Sequence, residues 1–316
     1  DGSWGTPNLV NQDVKHGMNV LAGALAYAKL GDINNYRSKV RDGIIAAKRT
    51  MDEPSEWTSS NGALSLGRQL GAYVIAADLI NLEAFDPVAY TEFRNWLTII
   101  RTQIIGDHGD WSSLEGTSEN SPNNWGTFAR ASRLAASIYL GDTADVQRSA
   151  DLFKAYLGDR SAYPPDSTYG ENGYFKQSNP LDYACNPANW IPVNPYCQRV
   201  INSVNVNLDG AIIQDLIRSD YGWPPGSSGM TYSWEALQGI YFEAELLYRQ
   251  GYAAYNWQNQ APKRAMDFMV RAGWRISDVA KYVPWMANFR YGTSYSTESS
   301  AVPIGRIMSY TDWTHS

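Results

Sequence analysis

Residues 26–36, AYAKLGDINNY, close one alanine-rich helix at Gly31 and open another a few residues later. The layout returns in SIYLGDTADVQ (137–147), around Gly141, and in LLYRQGYAAYN (246–256), around Gly251. A glycine just past a run of helical periodicity stops a helix, because it accepts the left-handed backbone that β-carbons disfavour. Repeated helix–turn–helix units predict stacked helix pairs. Working outward, Val14, Met18, Leu21, Leu25 and Ala28 share roughly one helical face over 9–30, and a second helix follows over 33–50. Residues 62–81, GALSLGRQLGAYVIAADLIN, read as a helix of small and apolar residues, and 87–105 as another that opens on Pro87. Strand signals are few and short. The expectation is an all-α fold, an (α/α) toroid or barrel of repeated helix pairs, forming a single domain over 1–316. The stretches 106–123, 158–206 and 219–231 break the helical pattern. Long loops of this kind are usually functional, and gathered on one face of a toroid they would build a cleft.

Composition narrows the function classes. The net charge of −6 argues against nucleic acid as a partner, since phosphate binding needs a basic surface. It leaves an anionic sugar polymer open, because a few arginines in one cleft hold carboxylates whatever the total charge. The 12 Trp and 21 Tyr suit sugar-lined grooves, although most are expected to fill the core. No run approaches the roughly 18 consecutive apolar residues of a membrane helix. The chain begins at Asp1 rather than Met, which raises the expectation of an upstream segment such as a signal peptide. Cys185 and Cys197 lie close together in an aperiodic loop, a pattern that predicts a disulfide and an oxidising, secreted or periplasmic setting. The histidines, His16, His108 and His315, have no metal-ligand spacing, and no cofactor is implied. A monomer is expected.

Several side chains stand out. Asn123-Asn124-Trp125-Gly126 opens an apolar helix. One Asn serves as an N-cap, and the second amide is free to donate to a carboxylate. In residues 208–239, Asp215 and Arg218 are spaced for an ordinary helical ion pair. Arg218 also ends its helix at a polar loop, where a cation is favoured. Tyr232 is expected to open the following helix, with Tyr221 and Trp223 in the loop between. Arg68 interrupts an apolar helix that also carries Tyr73, and such a charge needs a salt bridge or an anionic ligand. Asn288, Arg290 and Tyr291 lie in PWMANFRYGTSY (284–295), which suits sugar stacking and core packing equally. His108 is a loop histidine that could act as a base.

The order of these motifs resembles the alginate lyase superfamily of α/α-toroid polysaccharide lyases, nearest to its glucuronan- and alginate-cleaving branch. That pattern reads Asn-Asn-His, then Arg, then Tyr. Here NNWG supplies Asn123 and Asn124, IRSD supplies Arg218, and MTYSWEALQG supplies Tyr232. The helix-pair layout and the closing YGTSY and TDWTH segments are similar too. Trp125 stands where such lyases often carry His, and a WPPGSSG loop lengthens the Arg-to-Tyr interval, so Tyr221 is a rival for the catalytic tyrosine.

The resemblance implies β-elimination on a 1,4-linked uronic-acid polymer. Neutralising the uronate carboxylate, by Arg218 and Asn124 with Asn123 assisting, lets charge spread as the C5 proton leaves. An unperturbed tyrosine is only about one part in a thousand ionised at pH 7, and a neighbouring arginine offsets part of that cost. Tyr232 would take the C5 proton and return one to the leaving oxygen. One residue in both roles requires a syn arrangement, found in β-1,4-linked glucuronate and mannuronate. Arg68, Tyr73, Trp125, Tyr221, Trp223, His108, Asn288, Arg290 and Tyr291 are the expected substrate contacts. The rival readings are a glycoside hydrolase using two carboxylates among Asp107, Asp110, Glu115, Glu119, Asp209 and Glu235, and a sugar-binding protein without catalysis.

Overall fold

A computed structural model describes residues 4–52, 61–106, 109–164, 183–218, 223–299 and 305–316. These residues are mostly helical. The longer helices are α1 (His16–Leu30), α2 (Tyr36–Arg49), α3 (Gly62–Leu79), α5 (Pro87–Ile100), α7 (Asn124–Leu140), α8 (Thr143–Leu157), α10 (Ser227–Arg249) and α11 (Trp257–Arg271). Shorter ones are α4 (Leu82–Phe85), α6 (Leu114–Asn120), α9 (Ile213–Leu216), α12 (Val283–Tyr291) and α13 (Thr311–Thr314). The strands among these residues, β1 (Gln198–Ile201) and β2 (Val204–Asn207), form an antiparallel hairpin with Gln198 opposite Asn207. The hairpin lies inside the stretch read from sequence as loop, and α6 lies inside another.

The turn glycines behave as the repeats predict. Gly31, Gly141 and Gly251 have φ of 76°, 73° and 88°. The helix starts follow local chemistry as well. Asp86 caps α5 by accepting from the Ala89 amide, ahead of Pro87, and Asp142 caps α8 by accepting from the Asp145 amide. Helix α1 starts at His16 rather than near residue 9, and α5 ends at Ile100 rather than 105. Helix α10 begins at Ser227, so Tyr232 sits in its second turn rather than at its start. The Gly-Ser-Ser-Gly run that suggests a loop supplies the cap residue Gly226 and the first turn.

Four helices, α1, α3, α7 and α10, run side by side in one direction. A β-carbon on Gly17 would lie 3.1 Å from the Tyr73 ring, and one on Gly67 3.0 Å from the Ala129 amide. Ser132 Oγ bridges the same α3–α7 seam, donating to the Gly67 carbonyl at 2.7 Å and accepting from the Gly71 amide at 2.9 Å. At the α7–α10 seam, a β-carbon on Gly239 would come within 2.5 Å of the Thr127 backbone. These small residues let the backbones approach closely, the Gly239 contact admitting no β-carbon without a shift, and Gly67–Ala129 then Gly71–Ser132, like Thr127–Gly239 then Arg130–Glu243, advance together as parallel helices require. Helix α8 returns in the opposite sense: Ser137 meets Asp145, while Arg130 lies over the Tyr156 ring. Arg41–Asp86 and Lys48–Glu92 ion pairs join α2 to the α5 region. Arginines from these outer helices close inner-helix ends, Arg37 donating to the Ile80 carbonyl and Arg94 to those of Tyr139 and Leu140. Among the described residues a main hydrophobic core draws on residues from Leu9 to Met308, and a small second cluster joins Met18, Leu21 and Ala72. No helix among the described residues is long and apolar enough to cross a membrane. Cys185 and Cys197 form the expected disulfide, with Cα atoms 5.8 Å apart.

Candidate active site

Because α1, α3, α7 and α10 are parallel, their N-terminal portions bring His16, Arg68, Asn124, Tyr232 and Glu235 towards one end of the molecule. Helix N-termini carry partial positive charge, so this end favours anions. Asn123 is the cap of α7. Its Oδ1 accepts from the Trp125 amide at 3.0 Å and from Ser121 Oγ at 2.8 Å. Asn124 is wholly buried and faces Asp215, which lies in α9. Asp215 Oδ1 accepts both from Asn124 Nδ2, at 2.7 Å, and from the Asn124 amide, at 3.1 Å. Asp215 Oδ2 and Asn124 Oδ1 are buried without a hydrogen-bond partner among the described residues. Burial pushes the Asp215 carboxyl up to about 7, against the pull of Asn124 and of Arg218.

Sequence spacing suggested an Asp215–Arg218 ion pair. Instead Asp215 holds Asn124, and the exposed Arg218 lies over the Tyr232 ring, 4.2 Å from its centroid. Asn124, Asp215, Arg218 and Tyr232 are thereby linked: one carboxylate fixes the amide, and three residues on along the chain the guanidinium meets the tyrosine. Asp215 was not singled out from sequence as a site residue. Its ligand lies 91 residues away, and no local pattern signals such a contact.

A second cluster adjoins the first through α10. Arg68, 4% exposed, pairs with Glu235, which is one helical turn beyond Tyr232. Arg68 also donates to Gln12 Oε1 at 2.6 Å and lies over the Phe128 ring. Burial, partly offset by Glu235, lowers its pKa to about 10. Arg306 reaches the same place from the C-terminal segment: its Nη1 donates to the Gln12 carbonyl, and its own amide donates to Gln238 Oε1. Lys15 Nζ donates to the Gly305 carbonyl at 3.2 Å. Tyr73 is buried in the α1–α3 seam, its hydroxyl 2.8 Å from His16 Nδ1. That places it in packing rather than at an open surface.

Other expected contacts lie elsewhere. Arg290 forms an ion pair with Glu245 at 2.5 Å and stacks over Tyr248. Glu245 is thirteen residues past Tyr232 on α10, about 20 Å along the helix. Asn288 is a buckle for the turn after α12, accepting from Thr293 Oγ1 and the Tyr295 amide and donating to the Tyr295 carbonyl. Tyr291 donates to the Tyr255 carbonyl. The structure therefore does not bring these three residues to Asn124. Trp223 packs on Phe268 and Trp274, and Trp125 is half-buried against the core. His108 and Tyr221 lie outside the described residues.

A cavity of about 900 Å³ is at the opposite end of the parallel helices. It is lined by Leu25, Ile75, Tyr139, Phe242, Glu245 and His315 among others. No group of three or more metal-ligating side chains occurs among the described residues. Comparison of the chain with protein-family models, with curated proteins and with solved structures finds no match in any of the three.

Proposed function

We propose that the chain is a secreted polysaccharide lyase with an (α/α) toroid fold, which cleaves a 1,4-linked glucuronan- or mannuronan-type polymer by syn β-elimination. The observation that carries this reading is the Arg218 guanidinium over the Tyr232 ring, with Asn124 tied to the same chain segment through Asp215. Uronate elimination needs a cation for the substrate carboxylate and one group able to take and return a proton on a single face. Arg218, being exposed, meets the carboxylate. Asn124 is buried beneath, where its amide holds Asp215 and so positions the segment that carries Arg218. The cycle starts from the Tyr232 phenolate facing the same guanidinium, so that the proton taken from C5 is the one later returned. Tyr232 takes the C5 proton and then protonates the departing C4 oxygen. With Trp125 in place of a histidine at the helix start, no second base is assigned.

The hydrolase reading loses support from the carboxylates themselves. Glu115 and Glu119 pair with Arg133, Asp209 with Arg264, and Glu235 with Arg68, while Asp107 and the Asp110 side chain lie outside the described residues. A hydrolase needs two carboxyl groups free to face one substrate. The test is product chemistry on glucuronan, polymannuronate, polyguluronate and hyaluronan. The expected result is a rise in ultraviolet absorbance from a 4,5-unsaturated uronide on glucuronan or polymannuronate. New reducing ends without that absorbance would replace the reading with hydrolysis, and neither signal would leave carbohydrate binding alone.

A further inference from the structure

The cluster around Arg68 gathers three cations, Lys15, Arg68 and Arg306, against two carboxylates, Glu235 paired with Arg68 and Asp13 paired with Arg306. Lys15, Arg68 and Arg306 converge from α1, α3 and the C-terminal segment on a void of about 10 Å³, which Gln12 also lines. A void of this size admits one oxygen-sized group. The Nε atoms of both Arg68 and Arg306 are buried without a hydrogen-bond partner among the described residues. A buried guanidinium N–H left unpaired is costly unless something is to meet it. Lys15 is also the cap residue of α1, makes no side-chain cap, and is followed by a first turn without an acidic residue. The positive end of that helix therefore adds to the field at the void.

We infer that Lys15, Arg68 and Arg306 form a carboxylate subsite that holds the uronate next to the one cleaved. This rests on the lyase reading, since Glu235 places the cluster one turn along α10 from Tyr232. One oxygen of the substrate carboxylate enters the void and accepts from the two Nε–H groups, while Lys15 supplies charge. The counter-charges facing Lys15 are Asp13 and Glu235. Burial, Arg306 and Arg68 outweigh them, holding the empty-site ammonium down to about 8. Carboxylate binding therefore weakens above that pH.

The experiment is calorimetric titration of a glucuronan tetrasaccharide into Tyr232→Phe, which is expected to bind without turning over. The same titration is made with Tyr232→Phe carrying Arg306→Gln and, separately, Lys15→Gln. Circular dichroism melts check that each variant is folded. The expected result is about tenfold weaker binding for each second substitution at pH 7, with the Lys15 effect fading by pH 9.5. Unchanged affinity in both folded double variants would overturn the subsite. Weakened affinity alongside a wild-type protein that makes no unsaturated product would keep the subsite and remove the lyase reading. Absence of binding to Tyr232→Phe itself would overturn both.

Discussion

The two ends of the parallel helices differ in how their polar groups are spent. At the C-terminal end there is room, about 900 Å³ of it, and the carboxylate Glu245 that lines it is paired. Glu245 is held by Arg290 and Arg249, and its carboxyl is kept far below the usual range with His315 as a further partner. At the N-terminal end the void beside Arg68 is only about 10 Å³, yet Asn124, Asp215, Arg68 and Arg306 each keep a buried polar atom without a partner among the described residues. The large space and the Asn124–Asp215–Arg218–Tyr232 group thus lie at opposite ends. Native proteins leave few buried polar atoms unpaired, and those of Asn124 and Asp215 belong to the same group as the Arg218–Tyr232 pair. A space lined by Leu25, Ile75 and Phe242 and by the carboxylates Asp78, Glu83 and Glu245 has less to offer an anionic polymer.

Substitutions at each end sharpen the contrast. The largest effect is expected from Arg218→Ala, which removes the cation over Tyr232. Initial rates of unsaturated-product formation should fall by about a hundredfold or more, while the melting curve barely moves because Arg218 is exposed. Glu245→Ala at the other end should do the reverse. It strands Arg290 and Arg249 and costs about 2 kcal/mol in urea unfolding, with kcat unchanged. A loss of kcat there would break the division between the two ends.

His16 gives a smaller, pH-dependent effect. Burial beside Tyr73 holds it down to about 4, from an ordinary 6.5. Stability that is complete above about pH 6.5 is therefore lost as the pH falls towards 4, by about 2 kcal/mol once solvent screening is allowed for. His16→Gln should flatten that acid limb in thermal melts. The smallest effect is expected from Leu25→Trp, which places bulk in the large cavity. It should leave both rate and stability within about 0.5 kcal/mol, and a large drop in rate would mean that the cavity serves the reaction.

Much of this was legible in the sequence where the signal is local. The glycine-stopped repeats, the Asn123 cap and the Cys185–Cys197 spacing each depend on residues a few positions apart, and each is present in the structure. Arg68 could be recognised as a charge in need of a partner, because an isolated cation on an apolar helix is costly. Its partner could not be named: Glu235 is 167 residues away. The same separation hid the part played by Asp215. The Asn-Phe-Arg-Tyr run at 288–291 misled for a different reason, since arginine among aromatics suits a structural ion pair and a sugar site alike. Short elements were missed because seven residues of α6 or four of β1 cannot display a period.

The most direct test of the central claim is Tyr232→Phe, assayed beside the wild-type protein for unsaturated product on glucuronan and for binding of a glucuronan oligosaccharide. The account predicts that the wild type generates the absorbance, and that the variant binds with similar affinity but generates none. Product formation by the variant at a rate near that of the wild type would contradict it.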